Sequence, residues 1–358
     1  MPFHFSIDPK TGLPKFSLFN MDEGIQLYRY IFGNKDAYLD YSVAHVAQYY
    51  GDNQEHWIKQ QGAFDGHRPL AYELIYDYRN TNAVDQGWGK VVINGRYNFP
   101  AELVDHRDSM ISRMQKEGRI KDSSRIPRVA GLAITENGPL FHIQIAEYFD
   151  QVGTNLTLDS KLPKPIIVRD IVCETVREWD IAQSGTQGRS LPTFETSRLA
   201  NTIGVGVGLS ARDHNNIKQF IYRYRTPKAP VYPNTWHLPV SFALEIDSSV
   251  TDGKEYNIEE LIRNDFPEEL FAEAQLYRRD FGSLQPIAFC RDLTRGGKPQ
   301  FFLELECKLP LADLLSKIGA SHEYTGLPRI LADGATTNLP MSPELACYLA
   351  LASSVKHT

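Results

Sequence analysis

The sequence predicts an α+β fold built on mixed β-sheet, and three observations carry that expectation. Residues 202–307 read in order as three strands, a helix and two strands, which suits a mixed sheet with one helical crossover better than a repeating βα pattern. Residues 70–148 hold a second group of strand-like segments that ends in a hairpin. Between the groups lies a loop-rich stretch with Pro163, Pro165 and a Gly- and Ser-containing run over 184–189, so an inter-domain boundary is expected between Asn155 and Pro192. The expected division is an N-terminal mixed α/β domain over 1–165 and a C-terminal domain over 190–358.

Composition narrows the function classes. A chain of 358 residues has room for two domains. Apolar residues at 42% and charged residues at 23% match a soluble globular protein. A net charge of −6 argues against general nucleic-acid binding, which needs a basic excess. No apolar run approaches the roughly 18 residues of a membrane helix, and residues 1–8 lack the apolar stretch of a signal peptide. Cys173, Cys290, Cys307 and Cys347 stand far apart, without metal-knuckle or redox-motif spacing. Free thiols in a reducing cytoplasm are the expectation, with no membrane partner.

Along the chain, residues 1–20 read as an irregular arm. Over 21–61, Ile25, Leu27, Tyr28, Tyr30 and Ile31, then Val43, Ala44, Val46, Ala47 and Tyr50, recur at helical spacing and predict two or three helices. His45 and His56 fall in this region as packed or surface residues. Strands are expected over 71–78 and 89–93, with a turn at Asn94-Gly95, and a helix over 100–117. Residues 129–135 and 140–148 alternate around Asn137-Gly138, a dipeptide that tolerates positive φ and so marks a hairpin. Further on, strands are expected over 202–211, 217–225, 236–245, 284–292 and 300–307, with a helix over 257–276.

Three features of the second half suggest chemistry. Arg223-Tyr-Arg225 ends one strand, Trp236-His-Leu-Pro239 opens the next, and a helical stretch follows with Glu259, Glu260, Glu268, Glu269 and Glu273. On a helix, Glu269 and Glu273 would project from one face four residues apart. Paired carboxylates can share a hard cation such as Mg²⁺, which takes oxygen ligands. Asp265 would serve as N-cap and Pro267 as first helical residue. Acid at a helix start also simply complements the helix dipole.

These residues resemble the Nudix hydrolase superfamily, whose box reads Gly-x5-Glu-x7-Arg-Glu-U-x-Glu-Glu-x-Gly-U, with U apolar. The tail of the box matches Glu269, Leu270, Glu273 and Leu276, and its upstream glutamate falls on Glu260. The flanks agree: Leu199-Ala-Asn-Thr-Ile-Gly204 resembles the lead into a first strand, and Trp236-His-Leu-Pro239 resembles the Trp–Pro entry that precedes two glycines. The resemblance implies hydrolysis of a diphosphate bond in a nucleotide-like substrate with Mg²⁺ or Mn²⁺. Glu269 and Glu273 would hold the metal, Glu260 would assist, and Glu304 could complete the ligand set. Arg223 and Arg225 would bind phosphate beside Trp236 and His237. The sequence departs from the box at Glu268 for arginine, Ala272 for glutamate, Gln275 for glycine, and Val240 and Ser241 for the paired glycines. Those departures favour a second implication, a catalytically silent ligand-binding or regulatory protein. A third reading uses the aromatic N-terminal half (Tyr28, Tyr30, Tyr38, Tyr41, Tyr49, Tyr50, Trp57) as core and homodimer interface.

Two glycine-bearing motifs remain. Gly204-Val-Gly-Val-Gly208 lacks the order of a dinucleotide loop and reads as a close-packed strand. Arg295-Gly-Gly-Lys-Pro299 lacks Walker spacing and reads as a turn, whose basic residues could touch a phosphate or carboxylate.

Overall fold

The computed structural model describes residues 6–7, 14–15, 39, 41–51, 57–61, 67–79, 87–186, 190–267, 269–271, 274–319, 324–331 and 341–353. In chain order the elements begin with a short ribbon, β1 (Ser6–Ile7) and β2 (Pro14–Lys15), followed by α1 (Val43–Tyr50). Strands β3 (Trp57–Gln61), β4 (His67–Asp77) and β5 (Lys90–Arg96) lead to helix α2 (Val104–Lys116). Next come β6 (Arg125–Thr135), β7 (Gly138–Glu147), α3 (Tyr148–Val152), β8 (Lys161–Val168), β9 (Ile171–Thr175) and α4 (Val176–Ser184). Strands β10 (Gly204–Arg212), β11 (Lys218–Arg225), β12 (Trp236–His237), β13 (Val240–Ala243) and β14 (Glu255–Asn257) precede α5 (Ile258–Asp265). The chain continues through β15 (Glu269–Phe271), β16 (Leu276–Tyr277), β17 (Gln285–Asp292), β18 (Lys298–Glu306), α6 (Leu311–Lys317), β19 (Tyr324–Leu331) and α7 (Pro343–Ser353).

The architecture is α+β, as the element order predicts. Its centre is a nine-stranded mixed sheet running β12-β11-β10-β18-β17-β4-β3, with β13 also on β10 and β19 also on β11. Strand β10 runs parallel to β18, and the neighbouring pairs run antiparallel. A second sheet has the order β14-β5-β7-β6, closed by the hairpin at Asn137-Gly138, where Gly138 has φ +95°. The boundary expected between 155 and 192 is crossed by both sheets: β3 and β4 belong to the large sheet, and β14 joins the small one. One hydrophobic core explains this sharing. Val91, Ile93, Phe141 and Ile143 of the small sheet pack with Val205, Val207, Phe289 and Phe301 of the large sheet, and Ile258 and Ile262 of α5 complete the layer.

The opposite face of the large sheet carries α7, through Leu345, Tyr348 and Leu349 against Tyr72, Tyr222, Leu238 and Phe302. The glycines of β10 allow that approach. Successive strand residues face opposite sides, so Val205 and Val207 enter the main core while Gly204, Gly206 and Gly208 face α7. A Cβ on Gly206 would lie 2.6 Å from Glu344 Oε1, and one on Gly208 would overlap the Tyr348 ring. The glycine-rich segment is therefore a close-packed strand, as expected from its spacing.

Three expectations are corrected. The helix expected over 257–276 ends at Asp265, and Phe266 is extended with ψ 121°. Pro267 disfavours helical geometry in the residue before it, which outweighs the helical spacing of the glutamates beyond. Asn257 is the N-cap, accepting from Glu259 N at 3.0 Å, while Asp265 closes the helix and accepts from Glu245 N at 2.8 Å. The third strand expected over 236–245 is two strands, because Pro239 separates β12 on β11 from β13 on β10. Of the helices expected over 21–61, α1 is present, whereas Trp57–Gln61 is strand. Residues 21–38 and His56 lie outside the described residues.

Candidate functional site

Strands β17 and β18 are joined by a tight turn through a 3-10 segment, Leu293–Arg295, and Gly296-Gly297. Both glycines have positive φ, +71° and +79°. The turn is organised by Asp292, which is fully buried. Its Oδ1 accepts from Thr294 N at 3.0 Å and Thr294 Oγ1 at 2.6 Å. Its Oδ2 accepts from Arg295 Nε at 2.6 Å, Tyr232 Oη at 2.7 Å and Tyr72 Oη at 3.0 Å. Burial pushes this carboxyl up, but Arg295 and the donated hydrogen bonds outweigh it and hold it below the usual carboxylate range.

A second buried cation braces the turn from outside. Arg177 of α4 donates to the carbonyls of Leu293 at 3.1 Å and Thr294 at 2.7 Å. It also forks onto Asp159 at 2.6 and 2.9 Å. A planar guanidinium suits this task because its donors are fixed in direction.

The braced turn presents Arg295 and Lys298 to a cavity of about 100 Å³ on the α7 side of the sheet. Gly204, Arg225, Ser241, Gln300 and Glu344 are among its other lining residues, with Tyr148, Val231 and Phe242 on the apolar side. Glu344 stands in the first turn of α7, only 2% exposed, where its Oε1 accepts from Ser241 Oγ at 2.9 Å and its Oε2 lies 3.5 Å from Arg295 Nη2. Ser241 stands on β13, and its hydroxyl donates to Glu344. Gln300, next on the same face of β18, reaches both Arg295 and Glu344 at 3.3 and 3.4 Å.

Lys298 is the exception in this network. Its side chain is 1% exposed, yet it makes no hydrogen bond and no ion pair among the described residues. The absent side chain of Gly204 leaves room for its ammonium, since a Cβ there would overlap Lys298 Nζ. Burial, then Arg295, push the Lys298 pKa well below the ordinary lysine range, against the pull of Glu344 and Asp292.

The expected site residues divide sharply. Arg225 lines the cavity. His237 is fully buried just behind it, with Nδ1 2.6 Å from Ser342 Oγ and Nε2 3.8 Å from Glu344 Oε1. Burial, then Arg225 and Arg295, lower the His237 pKa well below the usual histidine value, so the ring is neutral. Arg223 donates to the Gly319 carbonyl and lies over the Tyr324 ring at 4.6 Å. Trp236 packs edge-on against Tyr222 and Tyr224 beneath α7, which is core packing.

Glu260 is exposed on α5, Glu269 lies on the separate β15–β16 hairpin, and Glu304 pairs with Lys218. Glu273 lies outside the described residues. The one-turn spacing of Glu269 and Glu273 needs a helix, and the chain at Glu269 is strand. Among the described residues, no group of three or more His, Cys, Asp or Glu could hold a metal ion.

No family model matches the chain, and no curated protein matches it. Solved structures do. A Nudix hydrolase from M. smegmatis is 16% identical, over 42% of this chain and 84% of that one, with a TM-score of 0.25. A protein from Deinococcus radiodurans is 18% identical, over 41% and 80% of the two chains, with a TM-score of 0.28. At these values the likeness is local and carries nothing about activity.

Sequence reading found part of the cavity and missed the rest. The basic turn Arg295-Gly-Gly-Lys-Pro299 was legible as a candidate anion contact. Glu344 carried no local signal, because its partners Ser241 and Arg295 are distant in sequence.

No helix among the described residues is long and apolar enough to cross a membrane.

Proposed function

We propose that this chain is a ligand-binding protein whose Lys298-lined cavity receives the anionic group, phosphate or carboxylate, of a small molecule. The observation that carries the reading is Lys298, buried and without a partner among the described residues, on the wall of a cavity it shares with two guanidinium groups. The two carboxylates near it, Asp292 and Glu344, both pair with Arg295, and neither makes an ion pair with Lys298. A buried charge without a counter-charge is costly, and an entering anion removes that cost. A nucleotide-like ligand, implied by the Nudix resemblance, fits this reading through its phosphate alone. Drug-sized ligands fill pockets of roughly 300–1,000 Å³, so the rest of such a ligand would stay outside.

The reading corresponds to the silent, ligand-binding alternative of the resemblance. Metal-dependent cleavage of a diphosphate needs converging carboxylates, and among the described residues no group of three or more His, Cys, Asp or Glu could hold the ion.

Calorimetry with inorganic phosphate at low ionic strength tests the proposal. Wild type binds, and Lys298→Met, with unchanged circular dichroism, binds at least about tenfold more weakly, because removing one partner of a buried charge contact costs roughly 2–5 kcal/mol. Equal binding by both proteins, or none by wild type, removes the reading.

A further inference from the structure

We infer that the anion received beside Lys298 is the carboxylate of a short aliphatic acid, whose hydrocarbon end lies against Ala243, Pro230, Val231 and Tyr148. The inference rests on the anion-binding reading of the same cavity and names the class of ligand it takes.

The register of three strands gives the cavity a polar end and an apolar end. Gly204 on β10 pairs with Gln300 of β18 on one side and with Ala243 of β13 on the other. Directly paired residues share a face of a sheet, and so do residues two apart on one strand. Lys298, Gln300, Gly204 and Ala243 therefore stand on one face, and all four line the cavity. Across that face the chemistry passes from an amine, over bare backbone, to a methyl group. The amine fills the space above Gly204, since a Cβ there would overlap Lys298 Nζ. Its N–H donors meet no acceptor among the described residues, and a carboxylate seated there supplies one.

The apolar end is fixed by packing. Pro230 and Val231 belong to the segment between β11 and β12, and Tyr148 opens α3. Val231 and Tyr148 rest on the cluster of Met110, Met114, Val152 and Leu156.

Charge and size choose among anions. Glu344 stands on the same wall, 2% exposed. It repels each negative charge brought in, so a singly charged carboxylate costs less than a phosphate dianion. An alkyl tail also covers the apolar end, which phosphate leaves bare. A dry cavity of roughly 150 Å³ holds a six-carbon ring. One of about 100 Å³ holds about four or five heavy atoms, the size of acetate or propionate.

The test is a chain-length series by calorimetry on the full chain at neutral pH and constant ionic strength. The probes are formate, acetate, propionate and hexanoate, with inorganic phosphate as reference anion and 1-propanol as uncharged control. Affinity is expected to rise about fourfold for each carbon added from formate to propionate, as burial of one methylene predicts. Hexanoate should gain nothing further, because the extra tail stays in solvent. Propionate should bind more tightly than phosphate and displace it, and 1-propanol should not bind. A Lys298→Met variant of unchanged circular dichroism should bind propionate at least about tenfold more weakly. A flat series, a rise that continues to hexanoate, or 1-propanol binding as well as propionate overturns the inference. Failure of propionate to displace phosphate also overturns it, and that wild-type competition decides even if the variant fails to fold. A flat series with phosphate bound removes the aliphatic acid and leaves the anion reading standing. Binding of no anion removes both.

Discussion

Arg295 Nε and Asp292 Oδ2 meet at 2.6 Å across a single turn, with their side chains 5% and 0% exposed. That contact links the fold to the cavity, because the same guanidinium also faces Glu344. Truncating the arginine would leave the Asp292 carboxylate buried with only hydroxyl and amide donors. Arg295→Met is expected to lower stability by about 3–5 kcal/mol, the usual cost of breaking a buried pair from one side. Urea unfolding of Arg295→Met, Asp292→Asn and the double variant measures it, and the double variant should cost less than the two single losses together.

Gly208 gives a second prediction, one about packing. A methyl group there would run into the ring of Tyr348, which seats α7 on the sheet. Gly208→Ala is expected to destabilise by about 1–3 kcal/mol through overpacking. Tyr348→Leu, which removes the ring, should recover part of that loss in the double variant. A Gly208→Ala protein as stable as wild type would mean that α7 does not lie this close to β10.

Asp180 predicts a pH dependence. Its carboxyl is 2% exposed, and burial pushes its pKa up to about 6, against the opposing bonds from Arg198 N and Ser197 Oγ. A carboxyl whose folded pKa lies above its unfolded value holds its proton more tightly in the fold. Its contribution is therefore largest below about pH 4 and is lost as pH rises towards 6. Asp180→Asn should flatten stability in that window, by roughly 2–3 kcal/mol at about 1.4 kcal/mol per pK unit. Chemical denaturation at several pH values reads this directly. An unchanged slope in the variant would show that the titrating group is another one.

The fold was legible where a local rule and the tertiary structure agree. Asn137-Gly138 closes its hairpin at a positive φ, and the alternation of valine and glycine through β10 matches one face in the core and one under α7. Legibility failed where two local rules competed. Glutamates at helical spacing suggested that a helix runs through Glu269, while Pro267 had already ended it at Asp265. The candidate site was half legible for a different reason. Arg295 and Lys298 share a short turn and could be noticed together, and Arg225 ended a recognisable strand. Ser241 and Glu344 reach the same cavity from two distant segments, and the pairing of β13 with β10 and the packing of α7 on the sheet bring them beside β18.

The central claim is that Lys298, Arg225 and Arg295 frame a site for an anion inside the fold. A crystal soaked in selenate and measured at the selenium edge examines it most directly. An anomalous peak is expected in the cavity, within hydrogen-bond distance of Lys298 Nζ and of at least one of the two arginine side chains. Selenium peaks confined to the outer surface, with Lys298 drawn into a direct ion pair with Glu344, would contradict it.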